Sequence, residues 1–243
     1  MSLFITTESA ISVLMYSVIM YYAVSVTFII GLSFIAFWVE CRRWVAISGV
    51  PITVSHDKKI TFSFLVPVIA FSVWTSMGSL SVVENLILIA GFAALSAVSI
   101  IDSMTGYLPN TYTYTMCIAG CTINLLELGI FSLGIESVYA CATGYIVFWM
   151  INKAYLKITG KEGMGMGDAK LLAAILAWIG ASSILPIMLI ANISAIVWFF
   201  VRTKTHKEPD DDGEVCSDQT FPFGPHLGIG AAVMFCQIAK PIF

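Results

Sequence analysis

The chain has 243 residues, of which 58% are hydrophobic and 11% charged, with a mean hydropathy of +0.91. Soluble domains carry roughly 25% charged residues, so this composition excludes a soluble globular protein and predicts an all-α, polytopic membrane helix bundle. The net charge of −3 comes without a basic stripe, so membrane lipid is an expected partner and nucleic acid is not.

Ile11–Val39 is free of charge and exceeds the ~20 residues needed to span a bilayer. It predicts a first span, stopped by Glu40-Cys41-Arg42-Arg43. The first basic residue is Arg42, so the run does not read as a cleaved signal. Val45–Ile60 reads as a short polar loop ending in Asp57-Lys58-Lys59. Thr61–Val83 and Asn85–Ile101 read as the second and third spans. Asp102–Asn110 is a turn-rich link broken by Gly106 and Pro109. Thr111–Leu126 is the fourth span, closed by Glu127–Glu136, and Ser137–Asn152 is the fifth. Lys153–Asp168 is a polar link with a run of alternating glycines. Ala169–Ile179 is a short sixth helix. The chain turns at Gly180–Ser183 and returns along Ile184–Val201. Arg202–Gly224 is a polar segment, and Leu227–Ala239 is the eighth and last helix. Residues 1–60 are thus a first span with a short loop, and 61–243 the membrane domain.

Eight spans place the loops near 41–60, 102–110, 153–170 and 202–224 on one side. These loops hold 11 of the 12 basic residues, so the positive-inside rule makes that side cytoplasmic. Asp102 and Asp168 fall on it together. The 13 residues from Asp168 to Gly180 cover roughly 20 Å as a helix, against a hydrocarbon core of ~30 Å. Asp168 is therefore expected below the membrane surface, where only a protein-lined wet cavity accommodates it.

Each acid alone has an ordinary reading, Asp168 as a helix N-cap and Asp102 as a turn residue. Together they suit hydrolysis. One carboxylate takes a proton from water while the other, protonated, polarises the carbonyl under attack. Like charges a few ångströms apart do not both ionise easily, so such a pair tends to hold one proton. Asp168 opens a helix and Asp102 closes one, so the helix dipoles predict Asp168 as the ionised base and Asp102 as the protonated acid. Gly165 and Gly167 permit positive φ and close approach of a substrate backbone. His56, His206 and His226 lie in or beside polar loops and read as solvated. The six cysteines form no CxxC pair, and no metal site is expected. Cys117 and Cys121 share a helix face and read as small apolar fillers.

Three segments carry a resemblance to a known family. They are Asp102-Ser-Met-Thr-Gly-Tyr-Leu108-Pro109-Asn110, then Glu162-Gly-Met-Gly-Met-Gly-Asp168-Ala-Lys170-Leu-Leu, and Pro222-Phe223-Gly224-Pro225. In order and spacing they resemble the type IV prepilin peptidases, the polytopic GxGD aspartic proteases of the bacterial inner membrane. The resemblance runs from about residue 85 onward. It implies Asp102 and Asp168 as the catalytic pair, with Pro109, Asn110, Gly165, Gly167, Pro222, Phe223, Gly224 and Pro225 around the substrate. It implies prepilin or pseudopilin substrates whose short basic leader is cut at the cytoplasmic face, and pilus or secretion machinery as a further partner.

The loop after Val39 is about twenty residues long and holds Cys41 as its sole cysteine. The chain therefore reads as a short form without the family's two-CxxC cytoplasmic domain. Neither N-methylation nor an S-adenosylmethionine cofactor is expected. Asp210–Glu214 reads as a solvated acidic loop, and Glu162 stays a candidate because it adjoins Asp168. Two other functions use the same residues: a proton-coupled transporter with the acids as a relay, and a non-catalytic assembly factor for a pilus or secretion machine.

Overall fold

A computed structural model describes residues 25–27, 31, 35, 39, 42, 54–78, 80–128, 133–160, 165–205 and 222–239. Among them there is no strand. Seven long helices follow one another: α1 (Val54–Ser76), α2 (Val82–Thr105), α3 (Asn110–Leu125), α4 (Glu136–Thr159), α5 (Met166–Ile179), α6 (Ile184–Thr205) and α7 (Gly224–Ile238), with a 3₁₀ turn at Ala181–Ser183 before α6. The expected span Ile11–Val39 lies almost wholly outside the described residues.

The helix ends differ from the sequence reading in instructive ways. The expected loop over Val45–Ile60 is helical from Val54 onward, since charged residues such as Lys are good helix formers and do not by themselves end a helix. Thr61–Val83 is not one span. α1 stops at Ser76, and Ser81 starts α2 through a capping box. The Glu84 N–H donates to Ser81 Oγ at 3.3 Å and the Ser81 N–H to the Glu84 carboxylate at 2.8 Å, which satisfies two free amides. At its other end α2 runs past Ile101 to Thr105 and is stopped by Gly106, whose φ of 63° is left-handed and whose N–H bonds the Asp102 carbonyl. Glycine takes that conformation without steric cost. α4 extends to Thr159, through the first part of the expected polar link.

α5 is the axis of the bundle. Every residue from Leu171 to Gly180 is buried, and α3, α4 and α7 pack around it. Where helices meet without water, close approach needs small residues. Gly91 of α2 and Gly120 of α3 flank the Trp178 ring so tightly that a Cβ would stand 2.7 Å and 2.5 Å from it. Gly144 of α4 meets Leu176 and Ala173 in the same way. Phe71, Phe92 and Phe235 close a second cluster, with Phe71 and Phe92 stacked at 4.1 Å.

α2 and the segment Ala181–Val201 are each long and apolar enough to cross a membrane. They occupy different places. Over half of the apolar stretch of α2 is buried in the protein, against 11% of that in α6. Leu185, Leu189, Ile193, Ile196, Val197 and Phe200 of α6 are all exposed. That apolar face matches lipid rather than water, and the molecule is an all-α membrane helix bundle.

Candidate functional site

One end of the bundle gathers the polar groups. α2 ends there, and α3, α5 and α7 begin there. Asp102 stands in the last turn of α2, only 4% exposed, and Asp168 in the first turn of α5, 9% exposed. The two acids are close enough for the charge of Asp102 to act on Asp168. A buried carboxylate is costly unless hydrogen bonds or a shared proton offset it. The Gly224 N–H, at the start of α7, donates to Asp102 Oδ2 at 2.9 Å across 122 residues of sequence. Among the described residues no donor holds the Asp168 side chain.

The residues expected around a substrate take several roles. Gly224 touches the acid itself. A Cβ there would fall 2.5 Å from Asp102 Oδ2 and 2.9 Å from its Cγ, closer than real side chains pack, so only glycine seats this carboxylate. The segment Pro222–Pro225 leads directly into a helix. Phe223 is already in the right-handed helical region and α7 begins at Gly224, with Pro225 in its first turn, where the missing N–H costs nothing. Pro222 and Phe223 are half-buried just ahead of it.

Gly165 precedes α5 with φ −65°, and Gly167 lies inside its first turn. Neither uses the positive φ open to glycine. Gly167 instead lets Leu108 press on α5, since a Cβ would meet the Leu108 side chain at 3.1 Å. A Cβ on Gly165 would lie 3.6 Å from Asp168 Oδ2, which places this exposed residue beside the acid. Pro109 is buried at the head of α3, and Asn110 is exposed as its first residue. Glu162 and Asp210–Glu214 lie outside the described residues.

Two features of this end were not read from the sequence. Lys170, two residues beyond Asp168, donates to Asn110 Oδ1 at 2.8 Å and sits 5.5 Å from the centre of the Tyr114 ring. It ties the α5 start to the α3 start. The motif quoted Lys170, but only the fold supplies its partner. His226 is not a solvated loop residue. It is 6% exposed in the first turn of α7, with Nδ1 3.0 Å from Ser194 Oγ of α6 and its ring near Trp198 and Phe223. Its aromatic neighbours Trp198 and Phe223 lie 28 and three residues upstream, which the polar run before it concealed.

The Gly224 bond also bears on the division of labour expected from the helix ends. A helix terminus contributes about 0.3–1 kcal/mol to a nearby charge. A hydrogen bond to a charged group contributes about 1.5–3 kcal/mol. The bond favours a negative Asp102 and acts against the dipole argument.

Comparison with known proteins covers this same region. Residues 87–200, which contain both acids, match the Type IV leader peptidase family. The chain is 36% identical over 140 residues to the prepilin leader peptidase/N-methyltransferase of Burkholderia pseudomallei strain 1026b, covering 58% of this chain and 42% of that protein. With the protein of the same name from Xanthomonas campestris pv. campestris it shares 40% identity over 98 residues, or 39% of this chain and 30% of that one. With that of Neisseria gonorrhoeae the figures are 31% over 143 residues, 59% and 46%. The chain thus spans less than half the length of each of these three relatives. No solved structure matches it. Through the stretch 87–200, from α2 to α6, this chain is similar to the Type IV leader peptidase family.

Proposed function

We propose that this protein is a membrane aspartic endopeptidase that removes the short basic leader of type IV prepilins or prepilin-like proteins. The observation that carries the reading is the meeting of Asp102 and Asp168 at one end of the bundle, inside the segment matched to the family. Buried acids in a membrane bundle are costly and mark function. Their position at a helix end, not at mid-membrane between repeats, supports hydrolysis over a proton relay. The distribution of basic residues supports a multi-pass protein of the bacterial inner membrane with this end facing the cytoplasm.

In the proposed reaction a water lies between the acids and the scissile carbonyl. One carboxylate takes the water proton as the oxygen attacks carbon, and the other gives its proton to the carbonyl oxygen. The tetrahedral intermediate then collapses, and the departing amine takes a proton from the pair. Because the Gly224 hydrogen bond outweighs the dipole term, we assign the resting charge to Asp102 and the proton to Asp168, reversing the helix-end expectation. The proposal takes the peptidase half of the relatives' name and does not extend to methyl transfer.

The test is co-expression with a candidate prepilin, reading the product N-terminus by mass spectrometry, which also reports whether it is methylated. Asp102→Asn and Asp168→Asn are each expected to lower cleavage by at least about 10²–10⁴-fold, the usual worth of an acid or base, with unchanged melting in detergent. Undiminished cleavage by either variant refutes the reading. Intact pilus assembly with both acids replaced would favour an assembly factor. Infrared spectra of the same variants test the proton assignment. The neutral-carboxyl band is expected to vanish in Asp168→Asn and persist in Asp102→Asn, and the reverse result restores the helix-end assignment.

A further inference from the structure

Three thiols meet on the seam between α3 and α4. Cys117 and Cys121 lie one turn apart on α3, and Cys141 of the antiparallel α4 comes between them. Their Sγ atoms all lie within 4.8 Å of one another. Cys117 and Cys141 are in direct thiol–thiol contact at 2.9 Å. Cys121 Sγ points to the Ser137 carbonyl at 4.0 Å. All three are free and half-buried. Read along the sequence, Cys117 and Cys121 were apolar fillers; the fold adds Cys141 from 20 residues further on.

Two kinds of chemistry suit three converging thiols, a soft metal ion and a disulfide. Charge separates them. Three thiolates around a monovalent or divalent cation leave net negative charge in an apolar helix seam, where uncompensated charge is costly. Two thiols and the disulfide they form are all neutral. We propose that Cys117 and Cys141 are a disulfide-forming pair that staples α3 to α4, with Cys121 as the thiol positioned to reopen it.

The step needs a disulfide oxidant, R–S–S–R. The thiolate of one cysteine attacks it, forming a mixed disulfide and releasing R–SH. The second cysteine then attacks the bonded cysteine sulfur and releases the second R–SH. Two protein thiols lose two electrons and the oxidant gains them. Cys121, within reach of both sulfurs, can attack the bond by the same chemistry.

The staple would fix the grip on α5. Met116, next to Cys117, accepts the Trp178 indole N–H at 2.8 Å. Gly144, three residues after Cys141, seats Leu176. The cluster lies toward the end of α5 remote from Asp168, one turn before Asn124. In the orientation proposed above this is the outer half of the membrane, nearer the oxidising compartment. The proposal rests on the sulfur geometry and stands whether or not the peptidase reading does.

The test uses the full-length protein in native membranes, treated with oxidised glutathione, alkylated, then digested without reduction. A peptide pair linked through Cys117 and Cys141 is expected, with two fewer alkylated thiols per chain. The link is expected to be lost on reduction and in Cys117→Ser and Cys141→Ser. Cys121→Ser should keep the link and reopen more slowly with reduced glutathione. Equal alkylation of all three thiols after the oxidant overturns the proposal, as does linkage through a different pair. So does stoichiometric binding of Cu(I), added alone, that protects all three thiols from alkylation, since it makes the cluster a metal site. The wild-type peptide map decides these outcomes, so a poorly folding variant does not blunt the test.

Discussion

The two ends of α5 are built for different ends. At its C-terminus the backbone carbonyls are closed off from within the fold. Asn124 of α3 donates through Nδ2 to the carbonyls of Ala177 and Trp178 at 3.0 Å and 3.3 Å. The Trp178 ring is wedged between two glycines, and its N–H is satisfied by Met116. At its N-terminus the same helix presents a buried acid that no described residue holds, facing a second acid held by one amide. Packing accounts for the Trp178 ring and for the Ala177 and Trp178 carbonyls at the first end, although Asn124 Oδ1 is buried there without a partner. It leaves the acids at the second unexplained. A fold that needed only stability would not bury two carboxylates together, so the contrast separates the part of α5 that holds the bundle from the part to which the proposed chemistry is assigned.

The largest expected structural effect comes from breaking the closed end. Trp178→Ala removes a ring only 4% exposed, the indole hydrogen bond and the wedge between Gly91 and Gly120. Truncating a buried aromatic costs about 3–5 kcal/mol. Unfolding in detergent is expected to move to markedly milder conditions, while cleavage per folded molecule stays near the wild-type rate. A stable variant with selectively lost cleavage would show that the closed end takes part in the chemistry.

A sharper cut uses two glycines one turn apart on α7. Gly224→Ala drives a methyl into the Asp102 carboxylate and displaces the amide that holds it. The expected result is a loss of cleavage of about 10- to 100-fold, the rate equivalent of a hydrogen bond to a charged group worth about 1.5–3 kcal/mol, with little change in melting. Gly228→Ala drives the same methyl into Ser99 of α2. That is overpacking between helices, with about 1–3 kcal/mol of stability lost and cleavage falling only with the folded fraction. Equal behaviour of the two variants in a cleavage assay against a melting curve would erase the distinction between holding the acid and holding the helices.

How much of this was legible in advance follows from the range of the interactions. Asp102 and Asp168 stand out locally, because a charge beside a long apolar run is visible in a window of a few residues. Most helices were legible for the same reason. Their ends were less so. The apolar run Thr61–Val83 masks the break at Ser81, although Ser81 and Glu84 have the spacing of a capping box. The polar letters Asp57-Lys58-Lys59 read as loop where the helix continues. The Gly224 amide on Asp102, the Cys141 thiol beside Cys117 and the Ser194 hydroxyl on His226 span 122, 24 and 32 residues. No periodicity connects such partners, since only the packed bundle brings them together. Gly167 illustrates a subtler gap. Its place next to Asp168 suggested backbone freedom, and its use in the fold is the absence of a side chain where Leu108 packs.

The smallest expected effect tests whether the acid end is held together as a unit. Lys170 and Asn110 link the first turns of α5 and α3, and with them Asp168 and the link that follows Asp102. The bond is partly exposed, so each of Lys170→Met and Asn110→Ala should cost about 0.5–1.5 kcal/mol, the net worth of an ordinary hydrogen bond. If the bond positions the acids, the loss appears as a several-fold drop in cleavage rate and hardly at all in melting. The double variant should then be no worse than either single one, because both remove the same contact. Additive losses would mean that Lys170 and Asn110 act separately, with Lys170 working through the Tyr114 ring, and that the first turns of α3 and α5 reach their positions without this tie.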